Sequence, residues 1–84
     1  MSLVPLYGFV HGDTLGVLVL VQDTDSIADL GRRLQQAATV RVTTIVDAIV
    51  MARGKPLDPK VSVTAAGLSA LDRVDLVPST WVAK

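Results

Sequence analysis

The sequence predicts an α+β fold: a mixed sheet packed on one helix. Three observations carry this. Residues 15–21, Leu-Gly-Val-Leu-Val-Leu-Val, form an uncharged run dominated by Val and Leu. Its length suits a strand and falls well short of the roughly 20 apolar residues of a membrane span. Residues 27–38 place Ile27, Leu30, Leu34 and Ala37 or Ala38 at helical spacing, with Asp29, Arg32, Arg33, Gln35 and Gln36 on the remaining face. Residues 73–77 alternate polar and apolar, as a strand with one wet face does. The run 15–21 does not alternate. One helix covers one of its faces, so the other needs separate cover.

Bulk composition narrows the function classes. With 84 residues, half of them hydrophobic, the chain has room for one domain and one core and is too apolar for a disordered segment. The predicted domain spans 1–84, with 79–84 as a short C-terminal tail. Eight basic and eight acidic side chains cancel. Counterion release on nucleic acid needs clustered positive charge, so no nucleic-acid partner is expected. The absence of cysteine speaks against a disulfide-stapled secreted domain. Met-Ser-Leu-Val-Pro lacks the basic flank and apolar core of a signal peptide. The expected location is therefore cytoplasmic.

Residues 3–10 read as the first strand, rich in the β-formers Val4, Tyr7, Phe9 and Val10. Pro5 has no N–H, which predicts a free side near the strand's start. His11-Gly12-Asp13-Thr14 is the turn. With Gly12 and Asp13 at its centre, Tyr7 pairs with Leu18 and Phe9 with Gly16 on one face. Leu6 then pairs with Val19 and Val4 with Val21 on the other. The Phe9 ring lies naturally over a glycine. One extra loop residue would reverse these faces.

Asp23-Thr24-Asp25-Ser26 leads into the helix. Ser26 is the predicted N-cap, with Asp29 closing a short-armed capping box and forming an acid-first pair with Arg33. Gly31 costs about 1 kcal/mol against Ala inside a helix, which close approach to the sheet would explain. Residues 39–46 read as a crossover into a third strand, 47–53, broken at Gly54-Lys55. Pro56-Leu57-Asp58-Pro59 is a short extended piece. Ser62 then caps a helical turn that leaves through Gly67. Leu71-Asp72 turns the chain into the last strand. Hairpin, helix, strand, short strand, turn and a final strand beside the first make the β-grasp, or ubiquitin-like, architecture. The expected core is Phe9, Leu18, Leu20, Ile27, Leu30, Leu34, Leu68, Val74 and Leu76.

No motif points to catalysis. A zinc site needs three or four converging ligands, and the chain has one histidine, His11, and no cysteine. Asp23 and Asp25 resemble the start of a calcium loop without its glycine and terminal glutamate. An acidic stretch at a helix N-terminus is favourable without any ion. Gly54-Lys55 lacks the rest of a phosphate loop. The C-terminus, Thr80-Trp81-Val82-Ala83-Lys84, has no Gly-Gly for conjugation or sulfur carriage. Trp81 has two readings, folded back over the domain edge or anchored in a partner, where tryptophan is enriched.

Several stretches together resemble one family, the small gamma subunit of the hydroxylase component of soluble bacterial di-iron monooxygenases acting on toluene, alkenes and isoprene. They are Val4-Pro5, Phe9, Asp13, the apolar second strand, residues 23–27, Val40-Arg41-Val42, Ala66-Gly67-Leu68 and Val74-Asp75-Leu76. Thr43-Thr44-Ile45-Val46 is more apolar than the family pattern. The resemblance implies a non-catalytic, ubiquitin-like subunit in a complex with large (alpha) and beta hydroxylase subunits. It implies no cofactor in this chain and a di-iron centre in the large one. A chain with one histidine and no glutamate agrees with that division. Gly-Lys-Pro-Leu-Asp-Pro followed by Gly-Leu is also similar to ubiquitin-like scaffold domains of type VII secretion complexes, which is the alternative.

The predicted partner interface is the face of the hairpin carrying Val4, Leu6, Val17, Val19 and Val21, with Trp81. Lone soluble proteins rarely expose so large an apolar patch. Docking on the large hydroxylase subunit would cover it. Cover by the tail or by residues 39–46 of the same chain is the competing explanation.

Overall fold

The computed structural model describes residues 2–13, 15–38 and 47–81. The elements in chain order are β1 (Leu3–Val10), β2 (Gly16–Gln22), α1 (Ile27–Ala38), β3 (Ala48–Ala52), β4 (Lys55–Pro56) and β5 (Arg73–Pro78), followed by a 3-10 turn at Ser79–Trp81. The strands form one sheet in the order β2-β1-β5-β3-β4. β1 runs antiparallel to β2 and parallel to β5, which pairs antiparallel with β3. This is the β-grasp expected from the sequence. The predicted crossover, residues 39–46, lies outside the described residues.

Each junction has a local cause. The hairpin register pairs Tyr7 with Leu18, Phe9 with Gly16, Leu6 with Val19 and Val4 with Val21, as predicted. A Cβ built on Gly16 would sit 2.8 Å from the Phe9 ring, so the glycine makes room for the aromatic side chain. Pro5 lies just ahead of the β1–β5 pairing, which starts at Tyr7. Its carbonyl accepts from the N–H of Leu71 at 2.6 Å. Carbonyl and nitrogen of one strand residue point to the same side, so the missing N–H falls beyond the start of β5 and costs no ladder bond.

The capping box forms as expected. The N–H of Asp29 donates to Ser26 Oγ at 3.1 Å, and the N–H of Ser26 donates to Asp29 Oδ2 at 3.3 Å. The ion pair differs from the expected one: Asp29 pairs with Arg32, three residues on. Arg33 leans back to Asp25, 4.0 Å away in the acidic stretch before the helix. Both i+3 and i+4 neighbours are within reach on a helix, and Asp25 takes Arg33. Gly31 is buried where a Cβ would stand 3.3 Å from Val50 Cγ2, a close approach of helix to sheet. Arg53 and Gly54, both at positive φ, make the tight β3–β4 turn. Ser62 Oγ accepts from the N–H of Ala65 at 3.0 Å, and Gly67 leaves that turn at φ 80.

The core lies between α1 and one face of the sheet, and the hairpin departs from expectation in which face that is. Ile27, Leu30, Leu34, Leu68, Val74 and Leu76 are buried, as predicted. From the hairpin, however, the helix side receives Leu6, Val10, Val19 and Val21, with Val4 and Val17 packed against them. Leu18 and Leu20, placed in the core by the sequence reading, are 56 % and 53 % exposed. Phe9 is only half-buried, on the opposite side. The register is right and the face is reversed. A methyl group on Gly8 would collide with the side chain of Leu34. Gly8 therefore marks the β1 face on which the helix rests, and with it Val4, Leu6 and Val10.

Candidate docking surface

Reversing the face corrects the predicted interface. Val4, Leu6, Val17, Val19 and Val21 belong to the core cluster or pack against it, with Leu6 at 0 % and Val19 at 8 % exposure. They are held by α1 and do not form an open surface. Trp81 closes the final 3-10 turn; its side chain is outside what is described.

The open apolar surface is the other side of the same hairpin. Leu3 and Tyr7 from β1 are 60 % and 46 % exposed, beside Leu18 and Leu20 from β2. The ladder brings them together, with Tyr7 directly across from Leu18 and Pro5 across from Leu20. Directly opposed side chains in an antiparallel pair touch, and diagonal ones are within reach of large side chains. The four thus make one contiguous patch on the far side of the sheet from the helix.

A charged border follows along β5. Tyr7 pairs with Arg73 and Phe9 with Asp75, which puts both charges on the outer face. The guanidinium of Arg73 lies 4.3 Å from the centroid of the Phe9 ring and reaches Asp75 Oδ1 at 3.1 Å. Arg53 is held by Asp72 at the same distance, 3.1 Å. Such exposed pairs add little stability, but they set a polar rim beside the apolar patch, the usual anatomy of a protein interface.

Among the described residues no group of three or more His, Cys, Asp or Glu could hold a metal, and no polar or charged side chain is buried. His11 is exposed in the hairpin turn. No helix among the described residues is long and apolar enough to cross a membrane.

Two signals in the sequence mark the true outer face. Gln22 shares its parity with Leu18 and Leu20, and a chain this small buries a glutamine side chain only at a cost. Gly8, in mid-strand, signals close approach of another element on the face of Val4 and Leu6.

The fold is that of ubiquitin-like domains. Its backbone is similar to the ubiquitin of Caldiarchaeum subterraneum, with TM-score 0.73 and 10 % identity, covering 92 % of this chain and 94 % of that one. It is also similar to the UBL domain of Plasmodium falciparum Dsk2, with TM-score 0.70 and 21 % identity over 90 % and 97 % of the two chains. Residues 3–77 match the family model of toluene-4-monooxygenase system protein B (TmoB), and the chain belongs to that family. A chain in the structure of a toluene 4-monooxygenase HD complex with the inhibitor 4-bromobenzoate superposes with TM-score 0.84. It is 20 % identical, and the match covers 90 % of this chain and 98 % of that one. Among curated protein sequences none matches significantly.

Proposed function

We propose that this chain is the small, non-catalytic gamma subunit of the hydroxylase component of a multicomponent di-iron monooxygenase that oxidises an aromatic or alkene hydrocarbon. Its role is to bind the large hydroxylase subunit through the outer face of the β1–β2 hairpin. Membership of the TmoB family supports the assignment to such a complex over a type VII secretion scaffold. One observation supports the mode of binding: Leu3, Tyr7, Leu18 and Leu20 form an exposed, contiguous apolar patch. Each such side chain is worth about 1.5–3 kcal/mol when fully buried, before the cost of association is met.

The di-iron centre belongs to the partner in this reading. A carboxylate-bridged pair of irons takes several carboxylates and two histidines projecting from facing helices. This chain has one histidine and no glutamate. The donor set does not fit, and no catalytic step is assigned to these residues.

Co-expression with the cognate hydroxylase subunits tests the proposal. Leu18→Asp puts a charge in the centre of the patch without touching the core. The expected result is loss of co-purification with the large subunit, while the isolated variant keeps the thermal midpoint of the parent within a few degrees. Unchanged co-purification would overturn the assignment of this face.

A further inference from the structure

The patch continues onto an open sheet edge. β2 is the terminal strand of the sheet, hydrogen-bonded to β1 alone among the described strands. Opposed residues in an antiparallel ladder alternate between those that exchange bonds and those whose backbone groups point away. The phase is fixed by Pro5 and Tyr7, whose backbone groups turn toward β5 and the loop before it. Leu6–Val19 and Val4–Val21 are therefore the bonded pairs with β2. The N–H and C=O groups of Leu18, Leu20 and Gln22 point outward.

Aspartates close the two ends of this edge. Gln22 N–H donates to Asp25 Oδ2 at 2.9 Å, and Gln22 C=O accepts from Asp25 N–H at 3.0 Å. Before the strand, Leu15 N–H donates to Asp13 Oδ1 at 3.1 Å. Between them Leu18 and Leu20 present an N–H and a C=O each to the open side. The stretch carries no charge and no proline, the devices by which proteins ordinarily blunt an edge.

We infer that β2 accepts an added strand: an extended, uncharged segment of the large hydroxylase subunit pairs with Leu18 and Leu20. Its apolar side chains continue the outer patch. This rests on the docking function proposed above. Area argues for this occupant. A patch of a few hundred Å² is well under the roughly 800 Å² per partner of a standard interface, and strand addition extends it without a second site. A second copy pairing two-fold through β2 would leave Leu3 and Tyr7 uncovered. It would bury only the two edge strands and their leucines, against the roughly 1,000 Å² that marks a specific interface.

The test compares Leu20→Ala with Leu20→Pro in binding to the cognate hydroxylase. Both remove the side chain. Only proline also removes the outward N–H, and an edge strand tolerates proline with that side free. Strand addition predicts at least tenfold weaker binding for Leu20→Pro than for Leu20→Ala. Equal weakening by both would overturn strand addition and keep face docking. No weakening by either, together with an inert Leu18→Asp, would overturn both. If Leu20→Pro fails to fold, amide hydrogen exchange of the parent chain decides: the Leu18 and Leu20 amides should slow at least tenfold in the complex, and unchanged rates overturn the inference. Concentration-dependent slowing of the same amides without hydroxylase would make the occupant a second copy and overturn it as well.

Discussion

On the helix side of the β1–β2 hairpin, Leu6, Val19 and Val21 share one core cluster with Leu30 and Leu34 of the helix's buried stripe, and Val4 packs against it. On the other side Leu3, Tyr7, Leu18 and Leu20 meet nothing among the described residues that buries them. The residue types hardly differ, yet one set is core and the other is surface. Hydrophobicity alone does not choose between two apolar faces of a strand. Shape does. The inner face is built of Val and Leu around Gly8, a gap that Leu34 fills. The outer face carries the rings of Tyr7 and Phe9, and the Phe9 ring lies over Gly16. The inner face stabilises the fold, and the outer one stays exposed among the described residues.

The largest expected effect separates the two faces by charge. Val19→Asp puts a carboxylate among apolar side chains with no partner, at a cost of several kcal/mol. A domain of this size holds on the order of 5 kcal/mol in total. The variant should show no cooperative thermal unfolding, whereas Leu18→Asp, one residue away, should melt like the parent. Leu34→Ala belongs with the inner face and should cost about 2–5 kcal/mol in urea denaturation. Equal tolerance of Asp at positions 18 and 19 would contradict the assignment of faces.

An intermediate effect sharpens the comparison at Gly8. Gly8→Ala pushes a methyl group into Leu34 and should destabilise by about 1–3 kcal/mol, as overpacking does. Leu34→Ala opens the space that the methyl needs. The double variant should therefore be more stable than the sum of the single costs implies, with a coupling of about 0.5–3 kcal/mol as contacting residues show. Strict additivity, measured over the full cycle by urea denaturation, would mean that Gly8 and Leu34 do not meet.

Much of this fold was legible because local chemistry and long-range order agreed. Ser26 and Asp29 mark the helix start, and the cap forms. Pro5 announces a missing neighbour, and the pairing with β5 begins two residues later, at Tyr7. Arg73 and Asp75 alternate with Val74 and Leu76, so β5 declares its inner face by polarity. β2 gives no such sign from residue 17 to 21, since every side chain there is Val or Leu. Its facing depends on where the helix comes to rest, which is a tertiary fact. The proposed surface was legible only as a quantity of apolar residues in excess of what one helix can cover. Its location needed Gly8 and Gln22 to be read as a pair. Residues 39–46, expected to form a crossover, fall outside the described part of the chain.

The smallest expected effect belongs to the outer face in isolation. Leu20→Ser removes an apolar side chain that is more than half exposed and that faces Pro5 across the ladder. Little burial is lost, since most of that side chain already meets water. No cavity forms, since nothing among the described residues closes over it. Serine gives up some strand propensity, within a scale of about 1 kcal/mol that shrinks at edges. The net change should stay within about 0.5 kcal/mol, typical of surface substitutions away from special features, and equilibrium urea denaturation of the isolated chain resolves it. Solubility should rise as the apolar patch shrinks. A loss of 2 kcal/mol or more would show that Leu20 is packed in the isolated chain, and that the outer face is already covered from within.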